Sequence, residues 1–227
     1  MRRLALFAAA PLAVLLLAGA PVIHAQEEDV DKESSTRVVA PEECTVEPAA
    51  ADAFAASLVD GAEIQGIQIA VPLGKPASSE QSVAISDATR QIVACLNAGD
   101  FLREANLVTA NGAKVLLGGL AAGGPEALAA KLAEAPVARD EAGYIRLLAV
   151  TDPAVTDDGR VVAFVVLNEP VRPPRGPETL LFVFKDEGGA LKLDYLLGFT
   201  DIKAVMEQAA AAAAAAGTPE AEGTPAS

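Results

Sequence analysis

The chain has 227 residues, of which 52% are hydrophobic and 21% charged, and its formal net charge is −14 at pH 7. This length and apolar content are sufficient for the core of one or two globular domains. So acidic a chain is a poor partner for nucleic acid, because polyphosphate is bound by basic patches. The only histidine, His24, lies in a segment that we expect to be removed, which excludes histidine-based catalysis and histidine-ligated metals from the mature chain.

The first 25 residues have the layout of a secretory signal peptide. Arg2 and Arg3 form a basic start, and 4–18 is an unbroken apolar run, shorter than the ~20 residues that span a bilayer. We expect cleavage after Ala25, since a cut after Ala20 would leave proline as the next residue. An uncleaved N-terminal anchor and export by the twin-arginine route are the alternatives. No cysteine stands directly after the apolar run, so a lipid anchor is not expected.

Loss of Arg2 and Arg3 with the signal peptide takes the net charge to −16. Anionic lipid repels such a chain, so we expect a secreted or extracytoplasmic bacterial protein without a stable membrane anchor. Composition then divides the mature chain into an acidic, Ala-rich extension with Cys44 (26–83), a patterned domain (84–199), an Ala-rich helix (200–216) and a disordered Gly-Thr-Pro tail (217–227). Within the extension, 63–71 is a candidate strand and 75–82 is typical of a linker.

Helices are predicted in the first half of the patterned domain. Ser86 or Asp87 would cap the first, Gly99 would end it, and Asp100 would begin the second. Further short helices are expected over 101–117, with breaks at Asn111-Gly112 and Gly118-Gly119, and another runs from Pro125 to a stop at Pro136.

Strands are predicted in the second half. They are 144–150, followed by a turn at 151–154, then 160–168 after a hairpin turn at 157–159, and finally the pair 180–185 and 190–197. Helices followed by hairpin-joined strands indicate an α+β fold, with a curved antiparallel sheet and the N-terminal helices packed on one face.

The stretch 92–103 (IVACLNAGDFLR) resembles the opening of nuclear-transport-factor-2-like (SnoaL-like) domains, in which an apolar helix ends in Asn-x-Gly-Asp and a second helix begins at once. Residues 105–109 resemble the segment that follows in that superfamily, and 180–195 resembles its closing hairpin. The segment 41–48 is similar to an N-terminal element of exported bacterial members. The resemblance covers about 84–199 and implies a cone-shaped barrel with a pocket at its wide end.

This chain departs from the enzymes of that superfamily, which resemble one another in using Asp or His, often with Tyr, inside the pocket. The mature chain lacks histidine, and Tyr144 and Tyr195 are its only tyrosines. Residues 110–124 are mostly Ala, Gly and Leu where other members carry polar and aromatic residues. We therefore expect no catalytic residue, no cofactor and an apolar cavity that only binds a ligand.

The candidate ligand contacts are Tyr144, Arg146 and Tyr195. Alternation along 144–150 places Tyr144 and Arg146 on one face of a strand. Arg146 would orient an anionic ligand if that face lines the cavity, and would pair with an acid at the sheet edge if it does not. Asp194 and Tyr195 would point to opposite faces, which disfavours an acid–base pair.

Cys44 and Cys95 are the only cysteines, 51 residues apart. In an exported protein they are candidates for a disulfide that ties the extension to the first helix. The alternative is a buried free Cys95 with an exposed Cys44. Two cysteines without histidine do not make a zinc site, and no metal is expected.

Two hypotheses about function follow. The first is a noncatalytic exported domain that binds an apolar small molecule, or forms a homodimer through 161–167, a strand that is apolar on both faces. The second is a carboxylate-dependent lyase or isomerase acting on a hydrophobic ligand. A buried carboxylate with a raised pKa at the mouth of the cone would favour the enzyme.

Overall fold

A computed structural model of the chain describes residues 38–59, 63–66, 73–170, 176–198, 202–204, 207 and 211. They belong to one compact unit, Lys32–Ser227. The predicted signal peptide, the Gly-Thr-Pro tail and most of the Ala-rich helix lie outside the described residues. Of that helix, 202–204, 207 and 211 are helical.

The helices, in chain order, are α1 (Ala51–Val59), α2 (Ser79–Ala98), α3 (Phe101–Ala105), α4 (Ala110–Leu117) and α5 (Pro125–Ala133), with 3₁₀ turns at Pro41–Glu43, Gly118–Gly123 and Glu141–Gly143. No single helix in the described part of the chain is long and apolar enough to cross a membrane. Taken together, the helical segments 110–123 and 125–133 are long and apolar enough, but the second is bent by 105° relative to the first.

Helix α2 starts inside the predicted linker 75–82 and runs across the predicted boundary at residue 83. The Ser78 hydroxyl accepts a hydrogen bond from the Gln81 N–H at 3.2 Å, and the Gln81 side chain accepts one from the Ser78 N–H at 2.9 Å. This reciprocal capping box begins a helix where composition alone indicates a linker. The linker and the caps at Ser86 or Asp87 were therefore wrong predictions, since both residues lie within the helix.

The N-terminal cap of α3 is the one predicted, whereas that of α4 is not. Asp100 caps α3, as predicted, by accepting from the Arg103 N–H at 3.0 Å. Thr109 caps α4, so the predicted break at Asn111-Gly112 lies inside the first turn of that helix. A Cβ at position 112 would overlap the carbonyl of Leu193, so the glycine serves close packing of helix on strand.

Five strands form one antiparallel sheet in the order β1-β2-β3-β4-β5. They are β1 (Lys75–Pro76), β2 (Arg146–Val155), β3 (Val161–Asn168), β4 (Glu178–Glu187) and β5 (Ala190–Gly198). The α+β class and the antiparallel sheet are confirmed. The sheet is not closed, because β1 and β5 are its two edges and do not pair with each other.

Three irregularities in the described sheet change the predicted side-chain pattern, and the first is a register shift at Leu148, between Leu147 and Ala149 of β2. The turn expected at 151–154 is a bulge within β2, where Asp152 adopts φ +51° and two residues oppose one on β3. Asp194 is the extra residue of a second bulge, since Leu193 pairs with Phe184 and Tyr195 pairs with Val183. The alternation along β5 therefore reverses at Asp194.

The sheet is buried on both faces. One face carries the main core beneath the helices, and the extension contributes Val39, Cys44, Phe54 and Leu58 to it. The other face carries a smaller cluster of buried residues, namely Ala154, Val162, Leu181, Val183 and Ile202. Residues of the chain itself thus cover both faces of the first part of β3, whereas Phe164 and Val166 are half-buried on the face away from the helices. Of the predicted strand 63–71, residues 63–66 have no regular structure and 67–71 lie outside the described residues.

Candidate functional site

The end of α2 is organised by the side chain of Asn97, which is fully buried. Its Nδ2 donates to the Val39 carbonyl at 2.9 Å and to the Ile145 carbonyl at 3.0 Å. Its Oδ1 accepts from the Ile145 N–H at 2.8 Å. One amide therefore joins the extension, α2 and the start of β2, and each of its polar atoms is satisfied.

The turn after Asn97 is built by Gly99 and Asp100. Gly99 adopts φ +64°, the left-handed conformation that ends a helix, and a Cβ there would overlap the carbonyl of Val137. Asp100 then caps α3 and lies 3.2 Å from the Arg103 guanidinium. The Asn-x-Gly-Asp motif thus has a structural role at each of its three fixed positions.

A surface pocket of about 150 Å³ lies between this turn and the end of α5. Its apolar lining comes from Phe101, Leu102, Leu132, Ala135, Pro136 and Val137, and its charged lining from Asp100, Lys131 and Glu134. The Lys131 ammonium lies 2.8 Å from a Glu134 oxygen and 5.8 Å from the centre of the Phe101 ring. We call this the α3–α5 pocket. Its volume suits one ring or a short aliphatic group, below the ~300 Å³ typical of drug-sized ligands.

A buried acid lies on the same helix as the pocket-lining Phe101. The Glu104 side chain is fully buried, and neither carboxyl oxygen has a hydrogen-bond partner within the described residues. Burial raises the pKa of the Glu104 carboxyl from an ordinary 4.5 to about 8, and the positive charge of Arg139 offsets part of this rise. Glu104 is thus held in its neutral form at pH 7.

Arg139 supplies that charge without bonding to Glu104. Its Nε donates to the Leu96 carbonyl at 3.3 Å, and its Nη1 lies 2.9 Å from a Glu169 oxygen. Its backbone N–H donates to the Asn97 carbonyl at 2.8 Å. The guanidinium therefore ties the end of α2 to the loop after β3.

The predicted disulfide between Cys44 and Cys95 is confirmed, with Cα atoms 4.8 Å apart. It fastens the extension to α2 two residues before Asn97. Disulfides persist in oxidising compartments, so the bridge is compatible with an extracytoplasmic protein.

The three predicted ligand contacts do not form one cluster. Arg146 is exposed at the start of β2, opposite Asn168. Tyr195 packs against the smaller cluster, in register with Ala154 near the far end of β2. Tyr144 is half-buried just before β2. None of them lines the α3–α5 pocket, and their ligand-binding role stays a prediction.

Sequence reasoning missed Glu104, although the sequence carries a signal for it. The residue lies midway between Phe101 and Leu107, at the three-residue spacing that places side chains on one helical face. An acid at such an apolar-face position indicates a buried carboxylate.

No group of three metal-ligating side chains occurs among the described residues. Comparison with protein-family models, curated proteins and solved structures finds no match to this chain.

Proposed function

We propose that this chain is an exported, noncatalytic domain of the nuclear-transport-factor-2-like type that binds a small apolar molecule. The observation that carries the proposal is the α3–α5 pocket, with its six apolar lining side chains, Ala135 included, and its charged rim. An enclosed apolar cavity of about 150 Å³ accommodates benzene. The α3–α5 pocket has the same volume, but it is open at the surface and its lining is partly charged. Val137, at the edge of this pocket, is 79% exposed, so ligand binding would remove an otherwise costly apolar surface from water.

Export is supported by the basic start at Arg2-Arg3, by the apolar run over 4–18 and by the Cys44–Cys95 disulfide. The cone form of the fold is a separate part of the proposal, because no residue of the described strands lines the α3–α5 pocket and this pocket is therefore not the cavity expected inside a cone. A cone would require the open sheet to curve around the helical layer.

Self-association through the sheet has less support than ligand binding. The prediction of a homodimer rests on β3 being apolar on both faces, and Ile202 with the half-buried Leu73 packs on the face away from the helices. Native mass spectrometry of the mature protein from its host tests both possibilities. A bound small molecule supports the cavity, whereas a bare mass of twice the chain weight supports the dimer.

Toluene is a direct probe of the pocket, with chemical-shift perturbation as the readout. We expect saturable shifts at α3 and α5 in the oxidised mature chain. Val137→Asp should weaken toluene binding at least tenfold, because it places a charge at the apolar edge of the pocket. Val83→Asp is the matched control, since Val83 is 55% exposed on α2 and does not line the pocket. Equal weakening in both variants, or no binding to the wild type, would contradict the proposal.

The enzyme remains a second candidate because of Glu104. A neutral carboxylic acid buried in an apolar environment has the protonation state of a general acid at pH 7. Turnover of a hydrophobic substrate that is lost in Glu104→Gln, with binding retained, would establish this alternative. Binding without turnover in the wild type would support the noncatalytic domain.

A further inference from the structure

The Glu104 carboxyl has hydrogen-bonding capacity that the fold does not use. A protonated carboxyl donates one hydrogen bond and accepts others, and leaving such a group unpaired in a protein interior is costly. Neither oxygen has a partner within the described residues. The nearest candidate, Arg139, directs its guanidinium to Leu96 and Glu169 instead.

Glu104 is connected to the α3–α5 pocket through its own helix and through Arg139. On α3, Glu104 is three residues after Phe101 and four after Asp100, so it shares a helical face with two pocket-lining residues. Arg139, whose charge acts on Glu104, follows the pocket-lining stretch 134–137 by two residues. Glu104 itself does not line the pocket in this structure.

Phe101 is the side chain that would have to move for a ligand to reach the acid. It is half-buried, its ring centre lies 5.8 Å from the Lys131 ammonium, and it also packs against the main core. A rotation of this ring that exchanges some core contact for contact with a ligand would extend the pocket along α3 towards Glu104.

The charges around this position select the polar group of the ligand. The positive charge of Arg139 acts at the Glu104 carboxyl and so opposes a second cation there. An anion would have to give up its hydration in the same apolar environment that keeps Glu104 neutral. A neutral group that accepts one hydrogen bond and donates another complements a protonated carboxyl without either cost.

We infer that the α3–α5 pocket takes a neutral, mainly apolar molecule bearing a carboxamide, and that Glu104 forms the hydrogen-bond pair with that group once Phe101 has moved. The inference rests on the proposed function, because it assigns the polar end of a ligand whose apolar end occupies the pocket.

Three probes of similar size test the inference in the oxidised mature chain at pH 6.5: toluene, benzamide and benzylamine. In the wild type, benzamide should bind at least tenfold more tightly than either of the others. Glu104→Leu should reduce the affinity for benzamide to that for toluene, and Glu104→Gln should retain most of it, since glutamine also donates and accepts. Raising the pH from 6.5 to 9 should weaken benzamide binding to the wild type but not to Glu104→Gln.

The outcomes separate the inference from the proposed function. If benzamide binds Glu104→Leu as tightly as the wild type, while Val137→Asp still weakens toluene binding at least tenfold, the role of Glu104 is wrong and the apolar pocket stands. A preference for benzylamine would also overturn it. If none of the three probes binds the wild type, both the inference and the proposed function are wrong.

Discussion

Asn97 at the end of α2 and Glu104 on α3 are both fully buried polar side chains, seven residues apart in one helix–turn–helix unit. The three hydrogen bonds of Asn97 join three segments of the chain. Glu104 forms no side-chain hydrogen bond within the described residues. A buried polar group without a hydrogen-bond partner lowers the stability of the fold. Asn97 therefore stabilises the fold, whereas the burial of Glu104 destabilises it and suggests a role other than stability.

The largest loss of stability should come from replacing Asn97, the residue of this pair whose polar atoms are all hydrogen-bonded. Asn97→Leu removes the partners of the Val39 carbonyl and of both backbone groups of Ile145. At about 2 kcal/mol for each stranded group, the free energy of unfolding should fall by about 6 kcal/mol. Urea denaturation measures this loss. Asn106→Leu is the control: Asn106 is exposed and its side chain donates one hydrogen bond, to the Glu47 carbonyl, so the loss of stability should stay below about 1 kcal/mol. Similar losses in the two variants would contradict the central role of Asn97.

The second prediction concerns pH, because the pKa of Glu104 is raised from 4.5 to about 8 by burial. Between these values the unfolded chain releases a proton that the folded chain keeps, so stability falls as pH rises. This contribution is fully present below pH 4.5, is lost between 4.5 and 8, and amounts to about 5 kcal/mol. Glu104→Gln, which does not titrate, should lack it.

Urea denaturation from pH 4 to pH 9 measures the difference between Glu104→Gln and the wild type. We expect the variant to gain relative stability with rising pH, and the gain to level off above pH 8. A difference that stays constant over this range would show that Glu104 titrates normally.

The contrast between these residues also shows what the sequence could predict. Gly99 and Asp100 cap helix ends through their own local conformation and hydrogen bonds, so the end of α2 and the start of α3 could be predicted from sequence alone. The hairpin strands followed from Val-rich runs and glycine turns. The start of α2 did not, because a serine-rich stretch is typical of both a linker and a capping box.

The candidate site was harder to predict than the fold because it depends on contacts between distant segments. The pocket requires the end of α5 to pack against the turn at Gly99, about 30 residues away in the chain. The bulge at Asp194 reverses the alternation of β5 and moves Tyr195 to the opposite face from Leu193. Strict period-two alternation cannot predict such an extra residue.

The third prediction tests how much the disulfide adds to the hydrogen bonds and core contacts that hold the extension. The Cys44–Cys95 disulfide closes a loop of 51 residues, and its removal should cost about 4 kcal/mol through the added entropy of the unfolded chain. The double variant Cys44→Ala, Cys95→Ala should therefore unfold at lower urea concentration, and reduced wild type should match it. If the reduced and oxidised proteins unfold alike, the hydrogen bonds and core contacts of the extension are sufficient to hold it without the disulfide.

The smallest effect is expected at two threonines, one with a hydrogen-bonded hydroxyl and one without. Thr89 is fully buried on α2, and its hydroxyl has no partner among the described residues. Thr109 is 4% exposed; its hydroxyl accepts from the Gly112 N–H at 3.0 Å and donates to Asp194 at 2.6 Å. Replacement by valine preserves the shape of either side chain. Thr109→Val should therefore destabilise the protein by about 1 kcal/mol through loss of the α4 cap, whereas Thr89→Val should stabilise it by up to about 1 kcal/mol. Thermal unfolding of the two variants beside the wild type measures the signs, and a loss of stability in Thr89→Val would mean that its hydroxyl is hydrogen-bonded in solution.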